Sequence, residues 1–253
     1  TSFGAYQPRT FALRLAHSSV SVPATTSQPV TLKYDVATAT DDGGHSTTGF
    51  DGKGNALPAE MLPKEIVFNN VHFDLAPAAT DTPNAITAAG QTIQLPAGHA
   101  NRVYLLAAST DGDQQATFTV GDKKTELTIQ NWGGFIGQWD NRTWSLDDFA
   151  HDHYGEMTGL TPGFIKRDDL AWYASHHHNA DGTNEAYSYS YLFGYSIDLP
   201  SSATTLILPN NDKIRILAIS VAQEDPKITP AHPLYDVLPA NQNVKTEEAM
   251  AKP

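Results

Sequence analysis

Along most of this chain apolar and polar residues alternate over short stretches, the period-two signature of half-buried strands. Phe11-Ala12-Leu13-Arg14-Leu15 is the first such stretch, and Val30-Thr31-Leu32-Lys33-Tyr34 is the second. Ile66-Val67-Phe68 and Val71-His72-Phe73-Asp74-Leu75 flank an Asn69-Asn70 turn. Further strands are predicted over Gln91 to Leu95, Arg102 to Ala108, Ala116 to Val120 and Thr125 to Gln130, with Asp111-Gly112-Asp113 and Gly121-Asp122 as turns. After a long irregular stretch come Leu170 to His176, Tyr187 to Asp198, Thr204 to Leu208 and Lys213 to Ala222. Pro58 to Pro63 has room for one helical turn, and no long segment carries a helical period. Short strands at near-regular spacing predict an all-β, antiparallel β-sandwich or jelly roll with short irregular loops.

Three units are expected. Residues 1–17 read as the end of a preceding β-unit or a first strand, because Ser18 to Pro29 has the Ser, Thr and Pro content of a linker. Residues 30–222 form the sandwich, and residues 223–253 a loosely packed tail, helix-compatible over Asn241 to Lys252. Thr1 is not a native start, so the chain reads as a mature product, a processed piece or an excised segment.

Composition narrows the function classes. With 253 residues, 40% hydrophobic and 17% charged, the chain can bury a real core. A net charge of −12 without a basic stripe argues against nucleic acid and favours a neutral or cationic partner. The chain has no Cys, which removes disulfides and thiolate metal sites. No apolar run is long enough to cross a bilayer as a helix, and no membrane partner is expected.

Three of the four Trp residues fall within Asn131 to Trp144, a stretch broken by Gly133, Gly134 and Gly137. Indole faces pack on the C–H faces of sugar rings, and neighbouring polar groups supply directional hydrogen bonds to hydroxyls. The candidate carbohydrate-binding residues are therefore Trp132, Trp139, Asp140, Asn141, Arg142 and Trp144. His177, Asn179 and Glu185 join them from a second polar–aromatic stretch. The competing reading is that the indoles are core and the glycines are turns.

That second stretch, Trp172 to Tyr191, raises zinc through His176-His177-His178. Adjacent strand residues alternate faces, so only His176 and His178 share one. Another ligand would come from elsewhere, with His151, His153 and Glu185 available, and no metal site is assigned. Tyr187, Tyr189 and Tyr191 share a strand face, which suits sheet packing. Calcium could use Asp111 and Asp113, or Asp51 and Asn55, though neither set has the spacing of a calcium loop. Glycoside hydrolysis needs two opposed carboxylates, for which Asp140, Asp147, Asp148, Asp168, Asp169 and Glu185 are available without a spacing that pairs them. Motifs for a serine nucleophile, a phosphate loop or a His-Glu-x-x-His zinc site are missing.

Tyr6-Gln7-Pro8-Arg9-Thr10-Phe11-Ala12-Leu13 resembles the closing strand of the β-domain that follows the catalytic domain in glycoside hydrolase family 38 α-mannosidases. Asp51 to Asn55, Leu57 to Pro63, Asn101 to Ala108 and Gly133 to Trp139 resemble the C-terminal region of large bacterial members. The resemblance covers most of Thr1 to Ala222 and implies an accessory sandwich of a glycoside hydrolase, outside the cell or in the periplasm. In that family the catalytic zinc and Asp nucleophile belong to an N-terminal domain whose motifs this chain lacks, so no catalytic residue carries over. The function expected is a non-catalytic module contacting a neutral glycan, mannose-containing ones included, with the catalytic domain of the same enzyme as a second partner. The alternatives are a free-standing hydrolase or lyase, the latter using His177, Tyr189 and Arg142 as base, acid and charge neutraliser, or a purely structural domain.

Overall fold

In a computed structural model the described residues are 23–135 and 169–225, with short strand segments placed between 137 and 165. The stretches 1–22 and 226–253 lie outside them, and so do the expectations for the first strand and the C-terminal tail.

Ten strands make the two main sheets. They are β1 (Thr26–Pro29), β2 (Ile86–Ala89), β3 (Thr92–Gln94), β4 (Arg102–Ser109), β5 (Gln114–Val120), β6 (Lys123–Ile129), β7 (Leu170–His178), β8 (Asn184–Asp198), β9 (Thr205–Ile207) and β10 (Asn210–Gln223). The larger sheet has the order β1-β10-β4-β8-β7, and β2 also pairs with β10. The smaller has the order β6-β5-β9-β3. Every pairing in both is antiparallel, and the two sheets form the expected sandwich.

The larger sheet is buried on both faces. Val103 to Ser109 are all buried, as are Ile214 to Ala222, so these central strands lose the alternation of a one-sided sheet. Cross-strand partners share a face, and side-chain contacts tell the faces apart. The Tyr195 hydroxyl accepts a hydrogen bond of 2.8 Å from the backbone N–H of Gln130, just past β6, so Tyr195 and its partner Leu105 face the smaller sheet. The Ser220 hydroxyl donates to the backbone oxygen of His72 at 2.6 Å, so Ser220 and its partner Tyr104 face the hairpin Glu65–Phe68/Val71–Asp74. That hairpin and a 3-10 turn at Ala59–Met61 cover the outer face, with the Trp172 indole N–H donating to the Met61 oxygen at 3.1 Å.

The hairpin turn forms where the sequence puts it. Asn69 and Asn70 have φ of 51° and 61°, the left-handed pair that a two-residue turn needs and that asparagine tolerates. The helical turn predicted within Pro58 to Pro63 is the 3-10 turn. Val30 to Tyr34 does not form a strand. The ladder instead sits four residues earlier, in β1, within what reads as a linker. An edge strand is held by backbone pairing to one neighbour and tolerates both polar composition and Pro29.

At Gly194 the sheet lies close against its cover. A Cβ built there would lie 2.5 Å from Phe68 Cδ1. Gly194→Ala is expected to lower unfolding stability by about 1–3 kcal/mol through overpacking, measured by denaturant titration. In a Phe68→Ala background the added cost should vanish, and a cost that persists would place the strain elsewhere.

Candidate functional site

The end of β7 and its return into β8 gather most of the polar and aromatic candidates. Trp172, Ala174, His176 and His178 follow the period of two and face the covering segment, while Tyr173, Ser175 and His177 face the opposite way. Three histidines in a row are thereby divided between two environments.

On the covered side, long-range backbone pairings assemble one cluster. The Ala56 N–H donates to the His178 oxygen at 2.8 Å, and the His178 N–H returns to the Ala56 oxygen at 3.0 Å. Ala56 leads into Leu57–Pro58, which pairs in parallel with Ala39–Thr40. The 3-10 turn follows and presents Glu60. Gly54 permits this approach: its φ is +99°, and a Cβ there would lie 2.6 Å from the Ala180 Cβ in the β7–β8 turn. Upstream, the buried Asn84 Oδ1 accepts from both the Thr38 backbone N–H and the Thr38 hydroxyl at 2.8 Å, fixing the strand that ends in Thr40.

Glu60 Oε1 lies 3.2 Å from His176 Nε2 and 3.3 Å from His178 Nε2. The imidazoles tilt at 31° with centroids 5.3 Å apart. His178 has a side chain only 1% exposed, and its Nδ1 is 2.9 Å from the Thr40 hydroxyl. His178 Nε2 is buried and lacks a hydrogen bond of acceptable geometry, Glu60 being near but misaligned. Next to Thr40, the Asp41 carboxyl is held below its ordinary range, first by the Thr80 backbone N–H and then by the Thr80 hydroxyl. It therefore stays ionised and adds negative potential near His178.

On the other side, His177 Nε2 lies 3.0 Å from Glu185 Oε2 and 3.2 Å from Asn179 Oδ1. Its ring sits 5.4 Å from that of Trp132. Trp132, His177, Asn179 and Glu185 are thus neighbours, as the candidate list groups them. Trp132, however, is 7% exposed and so offers no open ring face to a sugar: it stacks on Phe50 at 4.8 Å and has the His177 ring 5.4 Å away. Its carbonyl accepts from the Tyr191 N–H at 2.6 Å, and Gly133 bridges Ser190 in the antiparallel sense. The segment that suggests an exposed loop instead lies against β8 at Gly133, and Gly134, with φ of 87°, turns the chain after it.

Trp139, Asp140 and Asn141 lie outside the described residues. Arg142 and Trp144 lie in a short strand, Arg142–Trp144, whose backbone alone is described. Asp147, Asp148, His151, His153 and Asp168 are likewise not described at side-chain level.

The exposed aromatic surface is on the hairpin itself. Between Ala174↔Ser190 and His176↔Ala186 the ladder advances two residues on β7 and four on β8. This bulge thrusts out Tyr187, 84% exposed, with φ of 65°. Tyr173 and Tyr189 of the same hairpin are exposed as well, and so is Phe135, 71% exposed, two residues past the Gly133–Ser190 bridge. Tyr189 and Tyr191 stack at 6.3 Å, and burial, with Tyr189 adding to it, pushes the Tyr191 hydroxyl up. The shared face expected for Tyr187, Tyr189 and Tyr191 holds for the last two and breaks at the bulge.

The carboxylates considered for calcium are held by protein donors. Asp111 pairs with Lys213 at 2.6 Å, Asp113 accepts from the Asn131 N–H at 2.8 Å, and Asp51 accepts from the Asn55 side-chain amide at 2.8 Å. Glu60 and Thr40 are the residues the sequence did not single out. They reach His176 and His178 across separations of 116 and 138 residues, which no local pattern encodes.

A family model described as the AziU2-like beta-sandwich domain matches residues 26–225. Among curated proteins no match is found.

Left-handed backbone costs a tyrosine about 1–2 kcal/mol relative to a residue that tolerates it. Tyr187→Gly is accordingly expected to raise unfolding stability by about 1 kcal/mol, read from denaturant midpoints. A clear loss of stability would mean that the Tyr187 ring packs on the fold.

Proposed function

The chain belongs to the AziU2-like beta-sandwich domain family, and from that premise we propose that it is a non-catalytic carbohydrate-binding module contacting a neutral glycan through the bulged end of the β7–β8 hairpin. The observation that carries this reading is Tyr187. A bulky aromatic is kept in a costly backbone conformation while its ring is almost wholly in solvent. Strain that brings no packing in return is expected at a binding surface. A fold alone specifies no function, so the reading rests on this surface.

Tyr187, Tyr189, Tyr173 and Phe135 supply apolar faces for sugar C–H groups. His177, Glu185 and Asn179 are already aligned with one another and supply donors and acceptors for hydroxyls. The net charge of −12 disfavours polyuronates and other polyanions. The resemblance to the C-terminal region of family 38 α-mannosidases favours mannose-containing glycans and an accessory role beside a catalytic domain. A lyase is the weaker reading, because Glu185 and Asn179 already engage the His177 nitrogen it would use as base.

Isothermal titration of the full chain against neutral oligosaccharides, mannose-containing ones included, tests the proposal. Saturable binding is expected, weakened at least tenfold in Tyr187→Gly, about 1.4 kcal/mol, although that variant is expected to be the more stable protein. Absence of heat with every glycan, or equal binding by the variant, contradicts it. Silence toward glycans combined with tight association to a glycosidase catalytic domain would replace it by a docking role.

A further inference from the structure

We propose that Glu60, His176 and His178 form a binding site for a divalent transition metal, with Zn²⁺ the ion that fits best. The site lies on the face of β7 opposite to His177. It is independent of the glycan reading, and either can fail without the other.

Geometry is the first argument. Donors about 2.0–2.1 Å from a tetrahedral zinc lie about 3.3 Å from one another. Glu60 Oε1 is 3.2 Å from His176 Nε2 and 3.3 Å from His178 Nε2, so two edges of such a tetrahedron are already in place. All three donor atoms lie within 4.8 Å of one another, so the third edge needs a shift of at most about 1.5 Å to reach tetrahedral spacing. Two imidazoles and one carboxylate are a nitrogen–oxygen set suited to zinc and poorly suited to calcium or magnesium, which take oxygen ligands.

The second argument is the state of His178. A ring nitrogen buried without a hydrogen bond is costly. In the tautomer that donates from Nδ1 to the Thr40 hydroxyl, Nε2 keeps a free lone pair, 3.3 Å from Glu60 Oε1. A partner on the far nitrogen that fixes tautomer and ring orientation is a recurrent accompaniment of metal-binding histidines. A plain ion-pair cluster accounts for Glu60 lying near both rings, but leaves His178 Nε2 buried and misaligned. A bound cation satisfies all three donors together.

The third argument is access. The Glu60 side chain is 44% exposed and that of His176 is 19% exposed, so an ion reaches the site from solvent and keeps water as its remaining ligand. The deeply buried His178 forms the floor.

The experiment is titration of the chelator-stripped full chain with Zn²⁺ alone, followed by calorimetry, with Co²⁺ visible absorption as a spectroscopic readout. One ion per chain is expected, with the melting temperature rising on zinc addition. Glu60→Gln and His176→Asn, at positions that are not fully buried and where folding should survive, are each expected to weaken binding at least tenfold. Thr40→Val should weaken it by about tenfold through His178 orientation. His72→Gln, which alters a separate exposed His–Glu pair, should leave it unchanged. The proposal is overturned if no saturable binding occurs, if Glu60→Gln and His176→Asn bind as the parent does, or if His72→Gln abolishes binding.

Discussion

Two backbone hydrogen bonds between Ala56 and His178 connect segments 122 positions apart in sequence, and the arrangement of both candidate surfaces follows from them. They fasten the end of an edge strand to the segment that covers the larger sheet. Without them the backbone of β7 would pair at this end with β8 alone, across a bulge that weakens the ladder. With them, the histidine run is fixed in rotation about the strand axis. His176 and His178 must then face the covering segment, at Glu60 and Thr40, and His177 the opposite face, at Trp132 and Glu185.

The fastening depends on the unusual double coverage of the larger sheet. Its central strands are apolar on both faces, so the chain between 50 and 75 has to lie over the outer face or leave Leu106, Leu192 and Ala218 in water. Phe50, Leu57, Ile66 and Phe73 complete that layer. In a sandwich with one bare face the same strand order would carry a plain polar hairpin at this corner. The covering layer turns it into a place where a buried histidine, a carboxylate and a hydroxyl converge.

Much of this fold was legible in the sequence because the strands are short, periodic and punctuated by turn residues. The Asn69-Asn70 hairpin, the long β7–β8 hairpin and the three strands from Arg102 to Ile129 fall within a few residues of where alternation places them. The short strands at Ala39–Thr40, Leu57–Pro58 and Ile86–Ala89 were not, since they are too short to show a period and exist only because tertiary contacts hold them. The alternation of His176, His177 and His178 was correctly read from strand geometry. Their partners differ in legibility: Glu185 lies nearby in sequence, grouped with His177 as a candidate sugar contact, whereas Glu60 depends on the covering layer. Trp132 shows the opposite limit. A glycine-flanked tryptophan reads as a loop aromatic, yet its backbone pairing to β8 puts it inside. The exposed aromatic is Tyr187, where a break in the expected period, invisible in the residues themselves, turns a packing tyrosine outward.

Native-state hydrogen exchange at the Ala56 and His178 amides tests this account most directly. If their pairing is the constraint on which the corner depends, both amides should exchange only by global unfolding, at the same rate per denaturant increment as Leu105 and Ile219 in the central ladder. Exchange through a local opening several kcal/mol below the global free energy would contradict it, and would mean that the covering segment rests on the sheet without fixing the histidines.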